Sequence, residues 1–191
     1  AVGTGMGAKH NILIKDAPTL EQASKIEAVV MDKTGTLTEG RPTVTDIIVV
    51  DGVSKQDLLR VAAAVEESST HPLAHAVIES AKEHKAGHGV VTEFDNVAGH
   101  GLSAKVDQTP VLVGSLRLLA KERVDTKPLE ADAARLQAEG KTLVAVAIGG
   151  KAAGLLAVQD PIKETAIEAV TRMKDLGLEV AMISGDNRQT A

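Results

Sequence analysis

Cysteine, tryptophan and tyrosine do not occur in this chain of 191 residues, and Phe94 is its one phenylalanine. Without cysteine there is neither a disulfide framework nor a thiolate metal site. With a single phenyl ring, a flat ligand can stack only on Phe94 or on histidine, so hydrogen bonds and close glycine contacts must carry more of its recognition. No run approaches the roughly 20 apolar residues of a membrane-spanning helix and no signal peptide is visible, so the chain as given reads as soluble. A basic stripe is missing too. The net charge is −5 with 25% charged residues, which argues against a nucleic-acid binder and disfavours a membrane-surface anchor. There is no internal repeat and no low-complexity tract.

What is present is a 43% hydrophobic chain, able to bury a sizeable core and long enough for two small modules. Gly3, Gly5 and Gly7 precede Ile12-Leu13-Ile14. No strand comes before these glycines and no helical pattern follows, so the stretch reads as a connector rather than a dinucleotide loop. A short helix over 19–26 leads into the apolar run Ala28-Val29-Val30-Met31. Gly40-Arg41-Pro42 breaks the pattern and marks a boundary, as Asp160-Pro161 does later. Between them the spacing predicts a strand over 43–50 and a helix capped by Ser54 that stops within 67–69. A second helix is capped by Thr70, with His71 and Pro72 in its first turn. Strands follow near 90–97, 102–106 and 111–113, broken by Gly99, Gly101 and Thr109-Pro110. A helix over 128–139 precedes a hairpin of 142–148 with 152–158 across Gly149-Gly150. Beyond Pro161, a helix over 162–176 ends at Gly177, and a strand over 178–183 runs into Ser184-Gly185-Asp186-Asn187. The two outer parts share one design: helix, short apolar strand, polar loop. They are expected side by side in one parallel sheet, with the middle part, an antiparallel sheet with helices, inserted between them.

Chemistry concentrates after the first apolar run. Four apolar residues ending in Asp32 read as a buried parallel strand that delivers an acid to the carboxyl edge of a sheet, where open α/β folds hold ligands. Lys33, Thr34, Gly35, Thr36 and Thr38 then offer hydroxyls and unhindered N–H groups to a phosphate, and a carboxylate nucleophile there can take a phosphoryl group. The string Asp32-Lys33-Thr34-Gly35-Thr36-Leu37-Thr38 resembles the phosphorylation motif of P-type ATPases, in the haloacid dehalogenase superfamily. Thr70-His71-Pro72-Leu73-Ala74 and Gly99-His100-Gly101 resemble nucleotide-domain signatures of the heavy-metal-transporting branch, the copper and zinc/cadmium pumps. The resemblance covers nearly the whole chain.

The resemblance implies an α/β fold: a partial haloacid-dehalogenase-like parallel sheet, residues 1–40 and 159–191, around an inserted α+β antiparallel nucleotide-binding domain, residues 41–158. It implies Asp32 as the group phosphorylated by ATP, with Lys33 and Thr34 beside it and Ser184, Gly185 and Asp186 closing on the phosphate from the second strand. Magnesium would be held by Asp32 and the backbone carbonyl of Thr34, hard oxygen ligands that suit it. Glu66 would accept from the adenine amino group and His71 would bond or stack on the base. Gly99 and Gly101 would let the backbone approach without a Cβ in the way. Alone, Gly99-His100-Gly101 reads as a β-turn; with His71 it reads as a nucleotide loop.

Position 34 separates two reaction types. Soluble phosphatases of the superfamily carry a second Asp there as general acid/base, and a threonine hydroxyl cannot serve at neutral pH. A persistent phosphoenzyme is therefore expected, as a pump needs; the rival reading is a soluble phosphatase with an inserted cap. A third is a nucleotide-binding regulatory module. The family's downstream lysine and magnesium-binding acid lie past Ala191. The fragment is thus expected to be inactive alone and to self-associate through a truncated sheet edge. The expected setting is the cytoplasmic side of an integral protein of a bacterial or archaeal plasma membrane. The transported metal would be bound by membrane segments outside these residues, with Gly7-Ala8 and Ile12-Leu13-Ile14-Lys15 leaning to copper(I). His71 with His75, and His84 with His88, stand at i, i+4, but no third metal ligand is evident. His10 and His100 read as surface or loop residues. Lys141 reads either as a neutraliser of nucleotide phosphate or as a solvated turn lysine.

Overall fold

The computed structural model describes residues 2–183, without the side chains of residues 2 and 4. The fold is mixed α/β, with a two-stranded parallel sheet and a six-stranded antiparallel sheet. The glycine-rich opening is helix α1 (Val2–Lys9), not a connector. Glycines are poor helix formers, but here they admit a close neighbour. A Cβ at Gly3 would lie 2.7 Å from Leu20 Cδ2, and one at Gly7 would lie 2.9 Å from Ile14 Cδ1. Helix α2 (Ala17–Ala23) follows, its first turn capped by Asp16, which accepts from Thr19 N at 2.8 Å.

Strand β1 (Ala28–Asp32) carries the first apolar run. Its partner is the last described strand, Glu179–Ile183, parallel to it and in register from Ala28↔Glu179 to Asp32↔Ile183. The run is not buried as expected: Val30 is 59% exposed. Two strands with one crossover helix, Glu164–Asp175, cannot cover both faces of a parallel pair.

The middle of the chain holds β2 (Thr43–Val49), α3 (Lys55–Glu66), α4 (Ala74–Glu83), β3 (Val91–Val97), β4 (Gly101–Val106) and β5 (Thr109–Gly114). After these come α5 (Leu116–Lys121), α6 (Lys127–Ala138), β6 (Thr142–Ile148) and β7 (Lys151–Gln159). The crossover helix and the last strand are α7 and β8. The antiparallel sheet runs β2-β7-β6-β5-β4-β3. Both of its faces are covered, which is why β6 reads as a continuous apolar run. Val144 and Val146 point to the core with Leu58, Leu59 and Val65 of α3, while Ala145 and Ala147 point to the second core with Leu119, Leu129 and Ala133 of α5 and α6.

Three local expectations shift. Ser54 does cap α3, accepting from Asp57 N, but α4 begins at Ala74 rather than at Thr70. His71 and Pro72 form the preceding turn, closed by Ala74 N donating to His71 O at 3.0 Å. The β4–β5 break falls at Asp107-Gln108, both with positive φ, and Pro110 lies inside β5. It sits just before the first β5–β6 pair, Val111↔Ile148, where a missing N–H costs no ladder bond. Helix α5, too short to show a period, was not foreseen.

The two chain crossings between the sheets are tied together. Asp160 accepts from the Thr38 hydroxyl, from Gly40 N and from Arg41 N, and Glu39 N donates to Pro161 O.

Candidate functional site

Asp32 ends β1 exposed, and among the described residues no hydrogen bond or ion pair engages its carboxylate. The chain then makes a wide turn over Lys33–Leu37 in which Thr34 has ψ 122° and Gly35 a φ of 75°. That φ is the conformation glycine tolerates best. Thr38 closes the turn: its N donates to Lys33 O at 3.1 Å, and its hydroxyl accepts from Gly35 N at 3.1 Å. The start of α7 grips the same turn. Lys163 Nζ donates to Gly35 O at 2.8 Å, and Lys163 N donates to Leu37 O at 2.9 Å.

The register sets Asp32 opposite Ile183. Ser184, Gly185 and Asp186 come next in the chain and lie outside the described residues. A magnesium ion fits what is present: an unengaged carboxylate next to a non-helical turn offers hard oxygen and leaves positions for water and phosphate oxygens.

A second constellation lies in the antiparallel unit. A cleft of about 510 Å³ is bounded by the end of α3, the turn before α4, the β3–β4 turn and the start of β6. It brings together Glu66, His71, Gly99 and Gly101, residues spread over the sequence. Glu66 is 4% exposed, and its Oε2 has no hydrogen-bond partner. Burial pushes its carboxyl above the ordinary range, against the Ser69 hydrogen bond and the His71 imidazole, which pull it down. A buried carboxyl oxygen left without a donor is costly and marks a place where a ligand's N–H would be held. His71 Nδ1 accepts from Leu73 N at 3.2 Å, so the neutral ring carries its proton on Nε2.

The glycines act differently from expectation. A Cβ at Gly101 would lie 2.4 Å from Val113 O and 2.7 Å from Gly114 Cα. Gly101 and Gly114 are cross-strand partners, so Gly101 is needed for β4 to approach β5. At Gly99 a Cβ would meet nothing within 4 Å; the constraint there is its φ of 71°.

His100 sits in the β3–β4 turn, a loop position as expected, but half-buried and lining this cleft, and Asn96 and Ser115 line it too. For His100 its place between two glycines is the one local signal; Asn96 and Ser115 carry none. Phe94 lies on β3 outside the cleft lining. Lys141 fits neither of its readings: it is largely buried and bonded to Asp46 at 2.7 Å and Glu139 at 2.9 Å. The histidine pairs come apart. His71 lies in the turn before α4 and His75 on the helix, lining another groove, and His84 Nδ1 is taken by Ser80 O. Among the described residues no three His, Cys, Asp or Glu side chains converge on a metal position.

Comparison with known proteins identifies the family. A haloacid dehalogenase-like hydrolase family matches residues 26–191. The chain is 43% identical over 189 residues to a copper-exporting P-type ATPase of Bacillus subtilis (strain 168), spanning 99% of this chain and 24% of that protein. It thus spans about a quarter of the length of the curated relatives it matches. A zinc-transporting PIB-type ATPase in its E2.Pi state is similar in structure, with a TM-score of 0.77 and 32% identity over 93% of this chain and 29% of that one. The catalytic domain of the CPx-ATPase CopB-B, described as changing conformation upon nucleotide binding, gives 0.65 and 27% over 92% of this chain and 61% of that one.

Proposed function

Because the chain belongs to the haloacid dehalogenase-like hydrolase family, we propose that it is the cytoplasmic ATP-binding and phosphoryl-accepting part of a heavy-metal P-type ATPase in a bacterial or archaeal plasma membrane. The copper-exporting and zinc-transporting relatives support a metal pump, and we favour copper(I) as cargo. The ion would be held by membrane segments; among the described residues no helix is long and apolar enough to cross a membrane.

The observation that carries the nucleotide reading is Glu66 Oε2, buried and without a donor, in one cleft with His71. An adenine amino group would supply the missing N–H, and the Nε2–H of His71 would donate to the base. We assign 41–158 to nucleotide binding and 1–40 with 159–191 to phosphorylation. Hinge motion at Arg41-Pro42 and Asp160-Pro161 would bring the γ-phosphate to Asp32. An Asp32 carboxylate oxygen then bonds to phosphorus as the bond to the β–γ bridging oxygen breaks, and ADP leaves with that electron pair. Lys33 would hold phosphoryl oxygens, and Ser184, Gly185 and Asp186, outside the described residues, would complete the phosphate site; the pairing of β1 with β8 supports this. Asp32 and the Thr34 carbonyl would hold magnesium, whose chemistry there would be charge neutralisation at the phosphate. Thr34 offers no general base, so the aspartyl phosphate outlives the transfer.

Calorimetric titration with ATP tests the assignment: the wild type binds and His71→Ala loses most of its affinity. Equal affinity in the two would refute it.

A further inference from the structure

His100 stands between two glycines that the sequence credits with making room for a ligand. The structure gives them another purpose. The Cβ that Gly101 lacks would strike Val113 O and Gly114, in the β4–β5 contact. Gly99 and Gly101 take φ values of 71° and 143°, which side-chain-bearing residues rarely adopt. The residue between them is held at both ends. His100 N donates to Val97 O at 2.9 Å, and His100 O accepts from Ser115 N at 3.0 Å and from the Ser115 hydroxyl at 3.2 Å. The turn is therefore a rigid mount for one side chain, and that side chain lines the same cleft as Glu66 and His71.

The chain has hardly any other ring to offer. Tryptophan and tyrosine are absent, and Phe94 is not among the residues lining the cleft. A purine bound there finds two flat side chains, His71 and His100. His71 is already committed through Nδ1 to the Leu73 amide, which fixes its ring. We infer that His100 is a specificity-determining residue of the nucleotide site, its imidazole stacking on the adenine face and replacing the aromatic ring this chain lacks. The inference rests on the nucleotide reading above and concerns one further residue of that site.

The test uses ATP and, as a ring-free probe, inorganic tripolyphosphate. In calorimetry His100→Ala should weaken ATP binding about tenfold, within the range that stacking on a ring contributes. His100→Phe should keep most of the affinity, and tripolyphosphate should bind all forms alike. In proton spectra of the wild type, the His100 ring resonance, identified by its loss in His100→Ala, should move upfield on adding ATP and stay in place with tripolyphosphate. Circular dichroism melting of each variant confirms that the turn still folds. If His71→Ala loses ATP while His100→Ala does not, and the His100 resonance is unmoved, the role of His100 is overturned and the nucleotide site stands. If neither substitution changes ATP binding, the nucleotide site itself falls. Loss of tripolyphosphate affinity in His100→Ala would make His100 a phosphate contact and overturn stacking.

Discussion

Thr38 gives its hydroxyl proton to Asp160 Oδ2 at 2.5 Å, across 122 positions of sequence. The same carboxylate accepts from Arg41 N at 2.9 Å and Gly40 N at 3.2 Å, so one acid fastens the outgoing chain to the returning one beside the turn that follows Asp32. Thr38 is 2% exposed, which removes water as a competitor for its hydroxyl.

Asp160→Ala should therefore destabilise the protein by about 0.5–1.5 kcal/mol, because the Thr38 hydroxyl falls back on Lys33 O at 3.2 Å and the exposed Gly40 and Arg41 amides turn to water. Thermal melting measures the loss. Hydrogen exchange should quicken first at Gly40 and Arg41; unchanged exchange there would mean the clamp does not hold the crossing.

Gly101→Ala should lower stability with no nucleotide present, by about 1–3 kcal/mol from overpacking, since the new methyl meets Val113 O and Gly114. An alanine variant that melts like the wild type but binds ATP poorly would return Gly101 to the role of a ligand contact.

Glu66 gives a pH signature. Its folded-state pKa is raised, by burial first, so folding favours the protonated form. This contribution is fully present below the unfolded pKa and fades as pH rises through the folded one. Glu66→Gln, which cannot ionise, should be more stable than the wild type at neutral pH. The difference should shrink to nothing as pH falls below the ordinary glutamate range, as melts at several pH values will show. A gap independent of pH would mean that charge burial is not the cause.

Lys163→Ala removes the Nζ–Gly35 O hydrogen bond at an exposed position, so melting should shift little, by less than about 1 kcal/mol. The effect should appear in the turn instead, as shifted amide resonances at Gly35 and Thr36 that Lys163→Arg restores. Spectra unchanged in the alanine variant would show that the backbone bonds alone hold the turn.

Much of this was legible in the residues. Two short apolar runs and turn chemistry mark the hairpin across Gly149-Gly150, and Ser54 announces α3, because these features depend on neighbours in sequence. The pairing of β1 with β8 could be anticipated from two strands of one design. What could not be read was set by distant contacts. Gly3 and Gly7 of α1 leave room for Leu20 and Ile14, and Gly101 answers to Gly114. Lys141 looked like a turn residue until Asp46, far away in sequence, closed on it. At His100 nothing local beyond its two glycines distinguishes a presented side chain from an exposed one.

Thr43 and Gln159 are opposite one another in neighbouring strands, so everything between them leaves and re-enters at one point. For the pair of strands that carries Asp32, a long excursion of chain is thermodynamically equivalent to a short loop, because the antiparallel unit closes its own ends and adds almost no further entropy cost to the host. The register that sets Asp32 beside Ile183 therefore depends on where the excursion closes rather than on how long it is.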